Sequence, residues 1–203
     1  MNAEHSIRVR EQSDVRRPAI AAAARALIAE RGFEGLRTRD IAERVGINVA
    51  TLHYHVPTKE ALIEIVAQSM RDDFIAQSKA RPRDGLNPLQ ELQQEMADFR
   101  HTMKHNAELF AVLAEMVERA RRDPKIDAAV RPLQAYWQQQ ITDIMTRGRR
   151  DGSFRADLDP RAAATVVTGA MIATQRPPFQ GVSQFDRVAA ELLRAFVKPT
   201  SSR

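Results

Sequence analysis

The chain has 203 residues, a formal net charge of +5, 43% apolar and 5% aromatic residues, and no cysteine. That apolar content suffices for a buried core, and the missing cysteines exclude a disulfide framework and thiolate chemistry. With no apolar leader core and no stretch near the roughly 18 uninterrupted apolar residues of a membrane span, a cytoplasmic protein without a membrane partner is expected.

Few glycines and abundant Ala, Leu, Arg, Glu and Gln predict an all-α fold of about nine helices in total. Charge is spread evenly: residues 1–80 hold 12 Lys and Arg against 11 Asp and Glu, and residues 81–203 hold 19 against 15. Bulk charge therefore does not single out a nucleic-acid-binding end.

Residues 1–13 are polar and aperiodic, so a disordered arm is expected; its Arg8 and Arg10, with Arg16 and Arg17 beyond, are within reach of a DNA backbone if they are not simply solvated. Over 16–31, Ile20, Ala23, Ala24, Leu27 and Ile28 recur at helical spacing, and Gly32 ends the helix. Phe33 and Leu36 then fold beneath it toward Ile41, Val45, Ile47 and Leu52.

The stretch TRDIAERVGINVATLHYHVPTKE, residues 38–60, reads as two short helices and the start of a longer one. Thr38 is a good N-cap, Gly46 supplies the left-handed residue of a sharp turn, Asn48 caps a helix over 49–55, Pro57 closes it, and Thr58 caps the next. Leu52 and Val56 face inward; Val49, Ala50, His53 and Tyr54 face out. Two short helices crossing at Gly46 form a helix-turn-helix, whose second helix fits a DNA major groove.

The string of Thr38 to Ala42, Gly46, Thr51-Leu52, His55, Pro57 and Lys59-Glu60-Ala61-Leu62 resembles the DNA-binding domain of the tetracycline-repressor (TetR) family of bacterial transcription regulators. The resemblance implies phosphate contacts from Thr38, Thr51, His55 and Lys59, residues whose chemistry suits that role. Candidates for base contact are Arg39, Asn48, Val49, Ala50, His53 and Tyr54: apolar groups for thymine methyls, Arg39 for guanine. His53 stands where the family commonly has tyrosine and Val56 where it commonly has phenylalanine, which puts that tyrosine's phosphate contact in doubt. Packing against the neighbouring helix is the competing role for Tyr54 and His55.

A helix over 59–79 leads out of the helix-turn-helix, and RPRDGLNP at 81–88 is the clear composition break. The expected domains are an arm at 1–13, a DNA-binding domain at 14–58, a connecting helix at 59–80 and a larger helical domain at 81–203. Asn87, Pro88 and Gln90 predict a capping box opening a helix with an apolar stripe from Leu89 to Met103. Further helices carry Leu109 to Ala120, run from Asp123-Pro124 to about Arg150, and span 160–175 and 183–197, the last with a Ser183/Asp186 capping box. Small residues on 160–175 and Phe185, Val188, Leu192, Leu193 and Phe196 on the final helix suggest a homodimer through the last two helices, or else a cover for the monomer core.

Phe99, Met103, Phe110, Leu113, Met116, Val117, Tyr136, Trp137, Ile141, Met171 and Gln175 form a second constellation. They are either plain core or the pocket for a largely apolar small-molecule effector that the resemblance implies, with Tyr136, Gln175 or Glu115 orienting it. His101 and His105 lie four apart on one helix face but lack companion ligands, so no metal and no cofactor are expected. No phosphate loop or nucleophile pattern nominates an enzyme. The expected function is a sequence-specific transcription regulator, a repressor released by its effector. The alternatives are a ligand-independent or architectural DNA-binding protein on the same fold, and an all-helical small-molecule-binding protein or enzyme.

Overall fold

A computed structural model describes the backbone of residues 2–178 and 180–197, with side chains from Arg16 onward. Its helices are α1 (Asn2–Arg31), α2 (Thr38–Val45), α3 (Val49–His55), α4 (Lys59–Ala80), α5 (Pro88–His105), α6 (Ala107–Ala120), α7 (Pro124–Asp151), α8 (Pro160–Ala173) and α9 (Val182–Phe196), with a 3-10 turn at Phe33–Gly35. The described residues contain no strand, as an all-α composition requires. Helix α1 begins at Asn2, within the arm expected to be disordered. Polarity had suggested disorder there, yet Ala3, Glu4, Arg8, Glu11 and Gln12 are good helix formers. The side chains of Arg8 and Arg10 lie outside the described residues.

The chain divides into two compact units, one of Met1–Ser78 with Glu108–Pro132, the other of Lys79–Ala107 with Leu133–Arg203. The division falls between Ser78 and Lys79 and again at Glu108 and after Pro132, so α6 and the start of α7 belong to the first unit. A three-helix domain of about 50 residues buries little apolar surface and is marginal by itself. Its core of Ile20, Leu27, Ile41, Leu52, Val66 and Met70 is completed by Leu109, Val112 and Met116 of α6 and by Ile126 and Val130 of α7.

Polar contacts follow the same lines within this unit. Arg25, buried on α1, reaches Asp73 at 2.6 Å and Ser69 at 3.1 Å on α4, with Glu108 at 3.6 Å. The Phe33 N–H donates to Glu115 at 3.4 Å, Arg119 pairs with Glu34, and Lys125 pairs with Glu60 at 2.7 Å.

The second unit packs Leu92, Met96, Ile141, Met145, Val167, Met171 and Phe185 as its core. The capping box of Asn87 and Gln90 forms as predicted, and Asp159 accepts from the N–H groups of Arg161 and Ala162 to open α8. Phe99 stacks on Trp137 at 5.9 Å and on Phe185 at 5.4 Å. Charges buried beside this core are compensated: Arg147 grips Glu91 through both terminal nitrogens at 2.6 and 2.7 Å, while Arg81 and Arg83 share Asp98 at 2.8 and 3.2 Å. The Ser183/Asp186 box is not formed. Gly181 is the N-cap of α9, and Asp186 instead accepts from Arg100 at 2.6 and 3.0 Å. Phe185, Leu192 and Phe196 are buried within the unit, so most of the apolar face of α9 is used there.

Candidate nucleic-acid interface

Helix α2 ends at Gly46, whose φ of 73° and ψ of 33° are left-handed, and the Ile47 N–H returns to the Ala42 carbonyl at 2.9 Å. Asn48 then caps α3, its side-chain oxygen accepting from the Thr51 N–H at 2.7 Å. Leu52 inserts into the core, and the Thr58 hydroxyl accepts from the Ala61 N–H at 3.1 Å to start α4. Thr38 is not the cap of α2. Arg37 holds that position in extended conformation without a side-chain bond, which leaves Thr38 as the first helical residue.

These caps fix which side chains look outward. Thr38, Arg39, Asn48, Ala50, His53 and Lys59 are exposed; Val49 is 37% and Tyr54 69% exposed; Thr51 is half-buried. His55 is set apart from them. It is 8% exposed, its Nδ1 has no hydrogen-bond partner, and its ring meets Tyr54 edge-on at 5.2 Å. Burial, reinforced by the nearby Arg16 and Arg17 charges, holds the imidazole below its ordinary value of 6.5. A neutral, inward ring is poorly suited to the expected phosphate contact. The i, i+3 spacing from Leu52 that turns it inward was present in the sequence.

The charge pattern is sharper than the nearly neutral total for residues 1–80 suggests. Arg31 pairs with Asp40 at 2.9 Å, and Arg44 meets Glu30 with two bonds of 2.9 Å. Arg16, Arg17, Arg37, Arg39 and Lys59 have no carboxylate partner among the described residues, and Lys59 stands 5.5 Å over the Phe33 ring. Among the described residues, carboxylates thus neutralise one subset of this unit's cations and leave another without a partner. Arg37 joins the candidates only through this pairing, which sequence order does not display, whereas Arg16 and Arg17 are candidates for the DNA backbone from the sequence already.

Residues 20–66 match the family described as "Bacterial regulatory proteins, tetR family", and residues 110–179 match "Tetracyclin repressor-like, C-terminal domain". The chain belongs to the TetR family. This TetR-family protein is a DNA-binding transcription regulator. Its relatives include the HTH-type transcriptional repressor KstR2 of Mycobacterium tuberculosis, 28% identical over 153 residues, 75% of this chain and 76% of the relative. The tetracycline repressor protein class C of Escherichia coli is 32% identical over 144 residues, 70% of this chain and 57% of that protein. In fold it is similar to a regulator from Saccharomonospora viridis solved with choline, with a TM-score of 0.80, 23% identity, and coverage of 91% and 99%.

The eleven candidate effector residues divide between the two units of the TetR-family chain. Met116 is in the core of the first unit, with Leu113 and Val117 packed on it, and Phe110 lies on the same helix. In the second, Phe99, Ile141 and Met171 are buried, Met103, Trp137 and Gln175 are half-buried, and the Trp137 N–H donates to Glu95 at 3.3 Å. Tyr136 points outward at 62% exposure, its hydroxyl accepting from Gln140 at 2.9 Å. A polar groove of about 530 Å³ lies elsewhere in that unit, lined by Thr142, Asp143, Arg149, Asp157 and Arg161 among others, and includes none of the eleven. No helix among the described residues is long and apolar enough to cross a membrane.

Proposed function

We propose that this TetR-family regulator is a homodimeric repressor that reads an operator with α3 and leaves it when a largely apolar small molecule binds. The observation that carries the reading is the exposed flank of α3, in a unit where Arg17, Arg37, Arg39 and Lys59 have no carboxylate partner among the described residues. Arg39, Val49, Ala50, His53 and Tyr54 serve as base-reading positions and Asn48 as the cap that presents them, while Thr38, Thr51 and Lys59, joined by Arg17 and Arg37, hold phosphates. Two copies read half-sites one or more duplex turns apart, since a single α3 meets too few bases for useful specificity.

Support for the dimer lies on α8, where Ala162, Val166, Gly169, Ile172 and Ala173 are exposed at helical spacing and permit close approach of a second helix. The link to the effector follows the chain: α4 starts at Lys59 and crosses from one unit into the other before Ala80, and α7 crosses at Pro132. A coupling of about 1 to 3 kcal/mol between effector and DNA corresponds to a roughly 5- to 150-fold change in affinity.

Selection of bound duplexes from a random pool, followed by titration of the recovered site, tests the reading. Lys59→Ala is expected to weaken binding to every duplex and lower the salt slope by about 1, whereas Tyr54→Ala alters the preferred sequence. DNA affinity indifferent to both changes overturns it.

A further inference from the structure

Lys125 opens α7, 65 residues beyond Glu60 in the chain, yet its ammonium sits 2.7 Å from the Glu60 carboxylate. Glu60 directly follows Lys59, the α4 residue placed for phosphate contact. Both side chains are largely exposed, at 68% and 47%, so the pair adds little to stability. Its larger effect is on charge at the start of α4. Left alone, Glu60 would offset the positive charge of Lys59 and repel any phosphate that Lys59 holds.

The placement of Lys125 is firm. Asp123 accepts from the Lys125 backbone N–H at 3.0 Å, and Ile126 and Val130 anchor this end of α7 in the core of the same unit. The end of α6 repeats the arrangement, with Arg119 pairing with Glu34 just ahead of α2. The Lys125 bond first, then backbone and Thr58 bonds, hold the Glu60 carboxyl down at about 2.

We propose that Lys125 is a positioning residue for DNA binding, neutralising Glu60 beside Lys59 so that the start of α4 meets phosphate with net positive charge. The proposal rests on the DNA-binding reading above. It extends the functional surface to a residue outside the helix-turn-helix, on a helix that continues into the second unit.

The test is a mutant cycle on the full-length protein with a labelled random-sequence 30-base-pair duplex in dilute salt. Lys125→Gln is expected to weaken binding about threefold to tenfold, the scale of one uncompensated charge near a phosphate. Lys125→Arg should bind like the parent. Adding Glu60→Gln to Lys125→Gln should restore affinity to within about twofold of Glu60→Gln alone, a rescue that a purely structural role for Lys125 would not give. Parent-like affinity for Lys125→Gln overturns the proposal, as does a double variant that stays as weak as Lys125→Gln. Should Lys125→Gln fail to fold, the Lys125→Met variant with and without Glu60→Gln carries the same comparison. A parent protein that binds no duplex instead refutes the DNA-binding reading itself.

Discussion

Asn48 and Thr51 form the joint that starts the reading helix: the Asn48 side-chain oxygen takes the Thr51 N–H at 2.7 Å. That oxygen is then committed, and a two-bond contact with adenine needs both ends of the carboxamide. Asn48 therefore acts chiefly as a cap. Asn48→Ala should cost about 1 kcal/mol in thermal or denaturant unfolding, while Asn48→Ser should keep both stability and the preferred DNA site. A serine variant that is stable but selects a different site would make Asn48 a base reader after all.

His55 makes stability depend on pH in a definite direction. Its imidazole is held below 6.5 in the folded protein, so the unfolded chain binds the proton more readily. The stability tied to the neutral ring is complete above 6.5 and declines as pH falls below it toward the folded-state value. His55→Gln should flatten the dependence of the unfolding midpoint between about pH 7 and pH 5. An equally steep profile in the variant would place the titrating group elsewhere.

The helix-turn-helix was legible because its signals are local. Gly46 must supply a left-handed turn, Asn48 must cap three residues ahead, and Leu52 must face the core; each needs only neighbours within one or two turns. Contacts between distant segments left weaker traces. Nothing in the stripe of α6 shows that Met116 completes the core around Leu52 and Val66, or that Glu115 reaches the Phe33 N–H 82 residues away. The apolar face of α9 reads equally well as a dimer seam or as core, and only packing shows Phe185, Leu192 and Phe196 consumed inside their own unit. The effector residues suffer the same ambiguity, since a methionine and aromatic stripe looks alike whether it lines a pocket or fills one.

Gly148 is required by a close approach and not by its backbone angles. A Cβ built there would lie 2.1 Å from the Phe154 ring, which is fully buried and whose N–H bonds to the Gly148 carbonyl at 2.9 Å. In an exposed helix, glycine to alanine would stabilise; here Gly148→Ala should destabilise by at least about 1 to 3 kcal/mol, the usual cost of overpacking. Combining it with Phe154→Leu should recover part of the loss, because the clash is with the ring. If Gly148→Ala proves neutral in a chemical unfolding titration, the ring moves aside at no cost and the packing argument fails.

Gly169 on α8 offers the opposite case and tests the proposed seam. An added Cβ meets nothing within 4 Å among the described residues, and the neighbouring Val166 is 52% exposed. Within a protomer, then, Gly169→Ala removes only the helix penalty of glycine and should stabilise a dissociated chain by up to about 1 kcal/mol. If a second α8 packs here, bulk at the same position separates the helices. Gly169→Leu should retain the helical spectrum while sedimentation shows a dimer that dissociates at higher concentration than the parent, and operator affinity should fall with it, because two linked heads bind more tightly than one. A Gly169→Leu protein that remains dimeric at nanomolar concentration would move the seam to another face of the molecule.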